Sequence, residues 1–444
     1  MAAEIPQDAG KAEHLVVMIH GLWGNPVHLS HLRDTLVTQH AEEGLYILIP
    51  KSNRDNFTYD GIEVGAERIT HEIEEKIKSI TEAGGKLSKI SVAGYSLGGL
   101  IARYVVGLLY TNGVFDELRP MNFTTFATPH LGVRTPRLGY RAQTWNFLGS
   151  RTLSTSGQQM FLVDNFRNTG KPLLSVLAEP NSIFVRGLNM FQRKSIYANT
   201  INDRSVPFYT SGISRVDPYV DLDAVELHPL PDQDQPVVLD PDNPVTPRKT
   251  PTTKALTLRE RYDKAREALP FYAFLFTFIP IAIPLFMVNA GYQTYQSSRR
   301  VALHEKGGLI DLKRYRIPLL EEAQAVQDKV IERLAGEETH MNEVNQTGYL
   351  PTPPPEPAVS HSTSTSKLAQ TQQESGVSPW PSLALTDEQF AMIDNLDAHV
   401  GLVKYPVHIQ KVRHTHAAIV MRIQKEQFDE GRAVSAHWAK HFVT

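Results

Sequence analysis

A serine lies between two glycines in Gly94-Tyr95-Ser96-Leu97-Gly98, which is the G-x-S-x-G pattern of a serine hydrolase. The apolar run 89–93 before it is strand-like, and apolar residues at helical spacing follow it. This context is typical of a nucleophile elbow, a strained turn that exposes the serine and needs small residues on either side. The sequence therefore predicts Ser96 as a nucleophile.

Attack on an ester creates a negative oxygen, which must meet N–H donors that are already in place. In such an elbow the residue after the nucleophile supplies one donor, here the backbone amide of Leu97. The second donor comes from a loop after an early strand, and HGLWGNP at 20–26 follows the strand-like run 15–19. We expect the Leu22 amide to be this donor and His20 to be a framework residue rather than a base.

The serine also needs a base, and the base needs an orienting carboxylate, in the chain order Ser, acid, His. Asp203 directly follows the strand-like run 197–201, at the carboxyl end where parallel sheets place their sites. Asp203 is therefore the predicted acid, with Asp164 and Asp217 as alternatives.

Ten of the seventeen histidines follow Asp203, but most lie in biased segments, beside an apolar stretch or in the terminal helix. His414 and His416 remain, between a strand signal at 405–412 and an apolar helix signal at 417–421. His416 is the predicted base and His414 the alternative. The pair could suggest a metal, but no third ligand accompanies it, so we expect neither a metal nor an organic cofactor.

The predicted serine, acid and histidine need a fold that brings them to one edge of a sheet. Residues 15–230 alternate between short apolar runs, as at 15–20 and 46–50, and helical spacings, as at 27–37 and 64–80. Such alternation predicts an α/β fold with a mostly parallel central sheet. Together with the elbow, it predicts an α/β-hydrolase fold.

The interval 134–195 lies where a cap over the pocket would be inserted in this fold. We expect a lipid-binding cap there, with ordinary helical packing as the alternative reading. The side chains that suggest it are Trp145, Phe147, Leu148, Met160 and Phe161.

Composition divides the chain further. Seven prolines between Pro229 and Thr253 predict a linker or exposed loop without ladder hydrogen bonds or a core, and 341–382 reads as a disordered insert. The predicted units are the first part of the hydrolase at 1–230, a proline-rich linker at 231–255, an apolar segment at 256–312, an amphipathic helix at 313–340, the disordered insert, and the last part of the hydrolase at 383–444.

The apolar segment has an unusual core. Leu269–Ala290 is 22 residues of nearly continuous apolar character with basic flanks, long enough to cross a bilayer once as a helix. Its three prolines argue against a straight helix, and a single crossing would separate Ser96 from His416. We therefore expect a monotopic segment that dips into a membrane or a lipid monolayer from one side, with a buried core helix as the alternative.

Composition also excludes several classes of protein. With 45 basic and 48 acidic residues the net charge is −3, so no global field would draw the chain onto nucleic acid. The chain has no cysteine, which removes disulfides, cysteine nucleophiles and thiolate metal sites. The first residues carry acids and no apolar core, so they do not read as a secretory signal.

Several blocks of sequence resemble the fungal lipid-droplet phospholipase family of serine esterases, within the α/β-hydrolase superfamily. The blocks are HGLWGNPVHL, VAGYSLGGLIARY, FATPHLGV, TLSTSGQQMFLVD, YANTINDRSVPFYT and HTHAAIVMR. The resemblance implies hydrolysis of phospholipid acyl esters at lipid droplets, with Ser96, Asp203 and His416 at the positions of the catalytic set.

The expected partners are therefore a phospholipid or acylglycerol substrate and a lipid-droplet monolayer or the cytosolic face of the endoplasmic reticulum membrane. A monoacylglycerol lipase or acyl-protein thioesterase would use the same three side chains. A non-catalytic, membrane-tethered scaffold is the alternative of a different class, and it would show a broken triad or lost glycines.

Overall fold

The structure is a computed structural model that describes residues 7–134, 153–248, 284, 287–306, 312, 315–316 and 379–444. The strands are β1 His14–Ile19, β2 Leu45–Leu48, β3 Lys89–Tyr95, β4 Arg119–Phe126, β5 Arg193–Asn199, β6 Val225–Leu227, β7 Val245–Pro247 and β8 Val403–Val407. The α-helices are α1 Ser30–Gln39, α2 Ile62–Glu82, α3 Leu97–Thr111, α4 Val114–Glu117, α5 Ser154–Met160, α6 Leu173–Val176, α7 Ile183–Asn189, α8 Phe208–Ser211, α9 Asp387–His399, α10 Thr415–Ala418 and α11 Glu430–Lys440. A further helix at 287–305 is called the arm helix below.

Within the described residues, six strands form one sheet in the order β2-β1-β3-β4-β5-β8. All five neighbouring pairs are parallel. Every residue of β1 is buried, as expected of a strand covered on both faces of a parallel sheet. The predicted α/β fold with a parallel sheet is confirmed.

The strand register aligns the carboxyl ends of the central strands. Ile19 at the end of β1 pairs with Gly94, and Tyr95 at the end of β3 pairs with Phe126. At the other side of the sheet, Asn199 ends β5 opposite Val407 at the end of β8. The loops that follow these strands therefore leave the sheet at one edge, which is where parallel sheets place their sites.

Two hydrophobic clusters cover the two faces of this sheet. One cluster includes apolar residues of α2, α3 and α7, and the other includes apolar residues of α1 and α11. The arrangement is three-layered, with helices on each side of a single sheet. Helix α3, which begins directly after the candidate nucleophile, is buried along nearly its whole length and holds that turn firmly.

The prediction of a proline-rich linker is wrong for its described part, up to residue 248. Val237, Val238 and Leu239 are buried, and the segment closes a small antiparallel pair of β6 and β7. The Leu239 amide donates to the carbonyl of Pro406 at 2.9 Å, beside the edge strand β8. The prolines are tolerated because they lie outside this apolar triplet. The three residues of the triplet keep their backbone N–H donors, and the triplet covers the edge of the sheet.

The predicted lipid-binding cap is also corrected where the structure describes it, at 134 and 153–195. Met160 and Phe161 are 5% and 2% exposed and pack in the interior. The end of the interval is not a cap at all, because Arg193 already begins β5 and α7 packs beside α3. Trp145, Phe147 and Leu148 lie outside the described residues.

Smaller differences concern where elements end. The strand predicted at 197–201 runs from Arg193 to Asn199, and the strand predicted at 405–412 runs from Val403 to Val407. The apolar run 417–421 is only partly helical, because α10 ends at Ala418. Residues 418–421 are nevertheless buried, so apolar character alone did not fix the conformation.

The predicted monotopic segment, 256–312 with its core at 269–290, lies mostly outside the described residues, as do the amphipathic helix at 313–340 and the disordered insert at 341–382. The described part of the first is mainly the arm helix, whose Arg300 and His304 contact Asp60 and Glu67. Among the residues that the structure describes, no helix is both long enough and apolar enough to span a membrane.

Candidate active site

Ser96 lies at the turn between β3 and α3 with backbone angles φ 56° and ψ −128°, a strained conformation for a residue with a side chain. The flanking glycines are required by close backbone contacts. A Cβ atom on Gly94 would lie 2.4 Å from the Cα of Gly99, and one on Gly98 would lie 2.2 Å from the carbonyl oxygen of Ile19. The turn therefore has the geometry of a nucleophile elbow.

The structure brings the three predicted side chains together in one hydrogen-bonded chain. Ser96 Oγ lies 2.9 Å from Nε2 of His416, and Nδ1 of His416 lies 2.8 Å from Oδ2 of Asp203. The serine and the histidine are 320 residues apart in the sequence. This is the arrangement in which an imidazole can take the serine proton while a carboxylate orients it.

The Asp203 carboxylate is fixed by its own loop and is 2% exposed. Its Oδ1 accepts from the backbone amides of Ser205 and Val206 at 3.0 and 2.8 Å. Its Oδ2 accepts from the side-chain amide of Asn199 at 3.0 Å and faces the imidazole of His416. Because a carboxylate only accepts, the proton sits on Nδ1 of His416, and Nε2 presents a lone pair to the serine.

Tyr95 positions the backbone of the base and was not anticipated from the sequence. Its hydroxyl donates to the carbonyl oxygen of His416 at 2.8 Å, and the two rings lie 5.2 Å apart. Burial raises the pKa of Tyr95 above its ordinary value, so the phenol stays a donor. Thr415 adds a second tie, since its hydroxyl donates to the carbonyl of Ile201 at 2.8 Å. The only sequence signal for Tyr95 is its place inside the elbow motif.

The loop after β1 lies directly over the nucleophile, as the oxyanion prediction requires. A Cβ atom on Gly21 would lie 2.7 Å from the Cβ of Ser96, so only a glycine allows this approach. Within the described part of the chain, neither the amide of Leu22 nor that of Leu97 has a hydrogen-bond acceptor. Both are therefore free to serve a substrate oxygen, and the oxyanion assignment stays a prediction.

His20 is buried and belongs to the framework of this loop. Its Nδ1 lies 3.2 Å from the carbonyl oxygen of Gly21. Burial lowers the pKa of His20, which keeps the imidazole neutral near neutral pH. A Cβ atom on Gly24 would lie 2.6 Å from the same ring, so the loop is packed tightly around it.

The alternative acid and base residues lie elsewhere. Asp164 accepts from the amide of Leu173 at 2.8 Å, and Asp217 accepts from the amide of Tyr219 at 3.1 Å. His414 is exposed and only precedes α10. Among the described residues, no group of three His, Asp or Glu side chains is arranged to hold a metal ion.

Curated relatives of this chain are named as lipases of yeasts. It is 30% identical over 214 residues to "Putative lipase C4A8.10" of Schizosaccharomyces pombe, covering 46% of this chain and 26% of that protein. It is 28% identical over 310 residues to "Putative lipase ROG1" of Saccharomyces cerevisiae, covering 67% of this chain and 44% of that protein. The matches thus span less than half of each relative.

Among solved structures, "Phospholipase PlaB from Legionella pneumophila" is 15% identical with a TM-score of 0.27, covering 49% of this chain and 48% of that one. The fold assignment rests instead on the strand order and on the elbow at Ser96. Residues 9–214, which include this serine and Asp203, match the sequence family described as "Putative serine esterase (DUF676)". The chain therefore has the α/β-hydrolase fold, and its residues 9–214 match the sequence pattern of that serine esterase family.

Proposed function

We propose that this protein is a serine-dependent hydrolase of lipid esters, acting on glycerophospholipids at the surface of lipid droplets. The observation that carries the proposal is the hydrogen-bonded chain from Ser96 through His416 to Asp203. The relatives are named putative lipases, which supports a lipid substrate. The apolar stretch 269–290 supports a lipid surface as the place of action.

In the proposed reaction Ser96 Oγ attacks the acyl carbonyl while Nε2 of His416 takes its proton. The carbonyl oxygen becomes an oxyanion and receives hydrogen bonds from the amides of Leu22 and Leu97. The imidazolium then gives its proton to the leaving alcohol oxygen, and the acyl group stays on the serine. Water, deprotonated by the same imidazole, releases the fatty acid and restores the serine.

Asp203 orients the imidazole and stabilises its charged form without taking the proton. Its carboxylate is held by two backbone amides, so it cannot rotate away when the imidazole becomes charged. The intact triad and both elbow glycines argue against a non-catalytic scaffold.

The test is fatty-acid release from a panel of phospholipids, monoacylglycerols and an acylated peptide, presented in emulsified droplets. We expect wild-type protein to release fatty acid from phospholipids and Ser96→Ala to release none above background. Ser79→Ala, which changes an exposed serine on α2, is the matched control and should behave as wild type.

Release only from monoacylglycerol or from the acylated peptide would keep the mechanism but move the function to a monoacylglycerol lipase or an acyl-protein thioesterase. Equal release by wild type and Ser96→Ala would contradict the proposal. Folding of each variant is checked by its thermal unfolding midpoint, so that a lost activity is not mistaken for a lost structure.

A further inference from the structure

The arm helix packs one of its faces against the hydrolase. Ala290 and Ser297 on that face are 5% and 0% exposed, whereas Tyr292 and Tyr295 on the other face are 57% and 61% exposed. The helix begins at residue 287, within the last four residues of the apolar stretch 269–290, and continues beyond it. A movement of that stretch would therefore be transmitted to this contact.

An ion pair just before the start of α2 links the arm helix to the rest of the fold. The Asp60 carboxylate is fully buried and receives Arg300 Nη2 at 2.7 Å and Arg300 Nε at 3.0 Å. Arg68 also donates to it at 2.8 Å. The same Arg300 Nη2 donates to the carbonyl of Asn56 at 2.9 Å, and the guanidinium lies 5.2 Å from the ring centre of Phe57. Arg300 thus binds the 3₁₀ turn Asp55–Tyr59 and the carboxylate that follows it.

This 3₁₀ turn is also the support of the loop over the nucleophile. The Trp23 amide donates to the Thr58 hydroxyl at 3.0 Å, and the Asp55 amide donates to the Gly24 carbonyl at 2.7 Å. These two bonds are made by the two residues that directly follow Leu22, the proposed oxyanion donor. A shift of the turn would therefore displace that amide relative to Ser96.

We propose that Arg300 is a positioning residue for the oxyanion loop, acting through Asp60 and the turn Asp55–Tyr59. The inference rests on the proposed function, because it takes Leu22 as an oxyanion donor. It makes the arm helix part of the catalytic apparatus rather than a tether alone. An oxyanion donor must be in place before the transition state forms, so a looser turn lowers kcat more than it raises KM.

A second polar contact of the arm helix provides a matched control. His304 Nε2 lies 2.7 Å from Oε2 of Glu67, a buried carboxylate in the second turn of α2. Although burial pushes the pKa of Glu67 upward, the hydrogen bonds from His304 and Arg316 hold it below its ordinary value. Within the described residues, His304 has no hydrogen bond to the turn Asp55–Tyr59, so a substitution at His304 changes the contact between the arm helix and α2 without touching the support of the loop.

The experiment compares Arg300→Met with His304→Gln on a water-soluble ester, p-nitrophenyl butyrate, in the full-length protein. We expect kcat to fall about 10-fold in Arg300→Met with KM changed less than about twofold, and kcat to stay within about twofold of wild type in His304→Gln. Arg300→Lys, which keeps the charge but not the fork of donors, should recover part of the loss.

A second readout does not depend on activity. Amide hydrogen exchange should become faster at 22–25 and 54–58 in Arg300→Met and remain at wild-type rates there in His304→Gln. Equal kcat in wild type and Arg300→Met, equal losses in both variants, or unchanged exchange in the loop would overturn the inference. If wild-type protein hydrolysed no ester at all, the proposed function would fail, and the exchange comparison would still decide whether Arg300 holds the loop.

Discussion

At the scale of single residues, the site is distinguished by how firmly its carboxylate and its imidazole are held. Asp203 accepts hydrogen bonds from two backbone amides and one side-chain amide, besides its contact with the imidazole. The backbone carbonyl of His416 accepts a hydrogen bond from the Tyr95 hydroxyl. Such fixed hydrogen bonds reduce the reorganisation that the reaction requires. The consequence is that small changes around the triad should affect kcat strongly.

Replacing the acid tests its orienting role. In Asp203→Asn the amide can donate to Nδ1 of His416, which favours the tautomer with its proton facing Ser96. We expect kcat for p-nitrophenyl butyrate to fall by about 10² to 10⁴-fold with little change in KM. Asp217→Asn, at the alternative acid, is the control and should retain wild-type kcat. An Asp203→Asn variant with more than half the wild-type kcat would show that another group orients the base.

Removing one hydroxyl tests the contact of Tyr95. In Tyr95→Phe the hydrogen bond to the carbonyl of His416 is lost, while the ring beside the imidazole remains. We expect kcat to fall about 3- to 10-fold and the free energy of unfolding to fall by about 1 kcal/mol, since one buried hydrogen bond is removed. Steady-state kinetics and urea unfolding measure the two effects, and an unchanged kcat would remove Tyr95 from the positioning of the base.

At the scale of elements, the carboxylate of Asp164, which lies before α6, should make the free energy of unfolding depend on pH. Burial raises its pKa from 3.8 to about 6, and among the described residues its Oδ1 has no hydrogen-bond partner. Because the folded pKa is raised, the folded state keeps a proton that the unfolded state releases, and stability falls as pH rises from about 4 to 6.

Asp164→Asn should therefore be more stable than wild type at pH 8, by about 1 to 3 kcal/mol, because the amide carries no charge and still accepts from Leu173. The difference should shrink as the pH is lowered toward 4. Urea unfolding at several pH values measures it. A difference that does not depend on pH would mean that the charge of Asp164 is not the cause.

Much of this architecture could be read from local patterns. The elbow around Ser96 could be predicted because motif, preceding strand and following helix are adjacent in the sequence, and Asp203 and His416 were found because the fold imposes a chain order. Their catalytic roles stay predictions, but the structure places them within hydrogen-bond distance of one another.

The features that were missed depend on contacts between distant residues. Arg300 and Asp60 are 240 residues apart, and neither has a neighbour in sequence that indicates the other. The buried triplet 237–239 was hidden among prolines, because three apolar residues are too few to give a periodic signal. Asn199 and Tyr95 act on their neighbours through single hydrogen bonds, which no spacing predicts.

At the scale of the whole molecule, the triad residues lie on both sides of the apolar stretch in the sequence but next to one another in the fold. Ser96 and Asp203 precede residues 269–290 and His416 follows them, yet the three form one site. A chain with this order keeps its hydrolase on one side of any lipid layer that the apolar stretch enters. This agrees with the proposed monotopic attachment.

Replacing residues 269–283 by a Gly/Ser linker of equal length should separate attachment from chemistry. We expect the variant to lose co-flotation with lipid droplets and to keep kcat for p-nitrophenyl butyrate within about twofold, because the arm helix with Arg300 is retained. The same replacement at 352–366, within the predicted insert 341–382, is the control for linker effects. Continued co-flotation of the first variant would show that this stretch is not the anchor.

The central claim is that Ser96 is the nucleophile of lipid ester hydrolysis, and covalent trapping tests it most directly. A fluorophosphonate with an alkyl chain phosphonylates an activated serine, and mass spectrometry of the digested protein locates the adduct. We predict one adduct, on the peptide that contains Ser96, formed in step with the loss of fatty-acid release from phospholipid and absent in Ser96→Ala. An adduct on another serine that tracks the loss of activity would contradict the account.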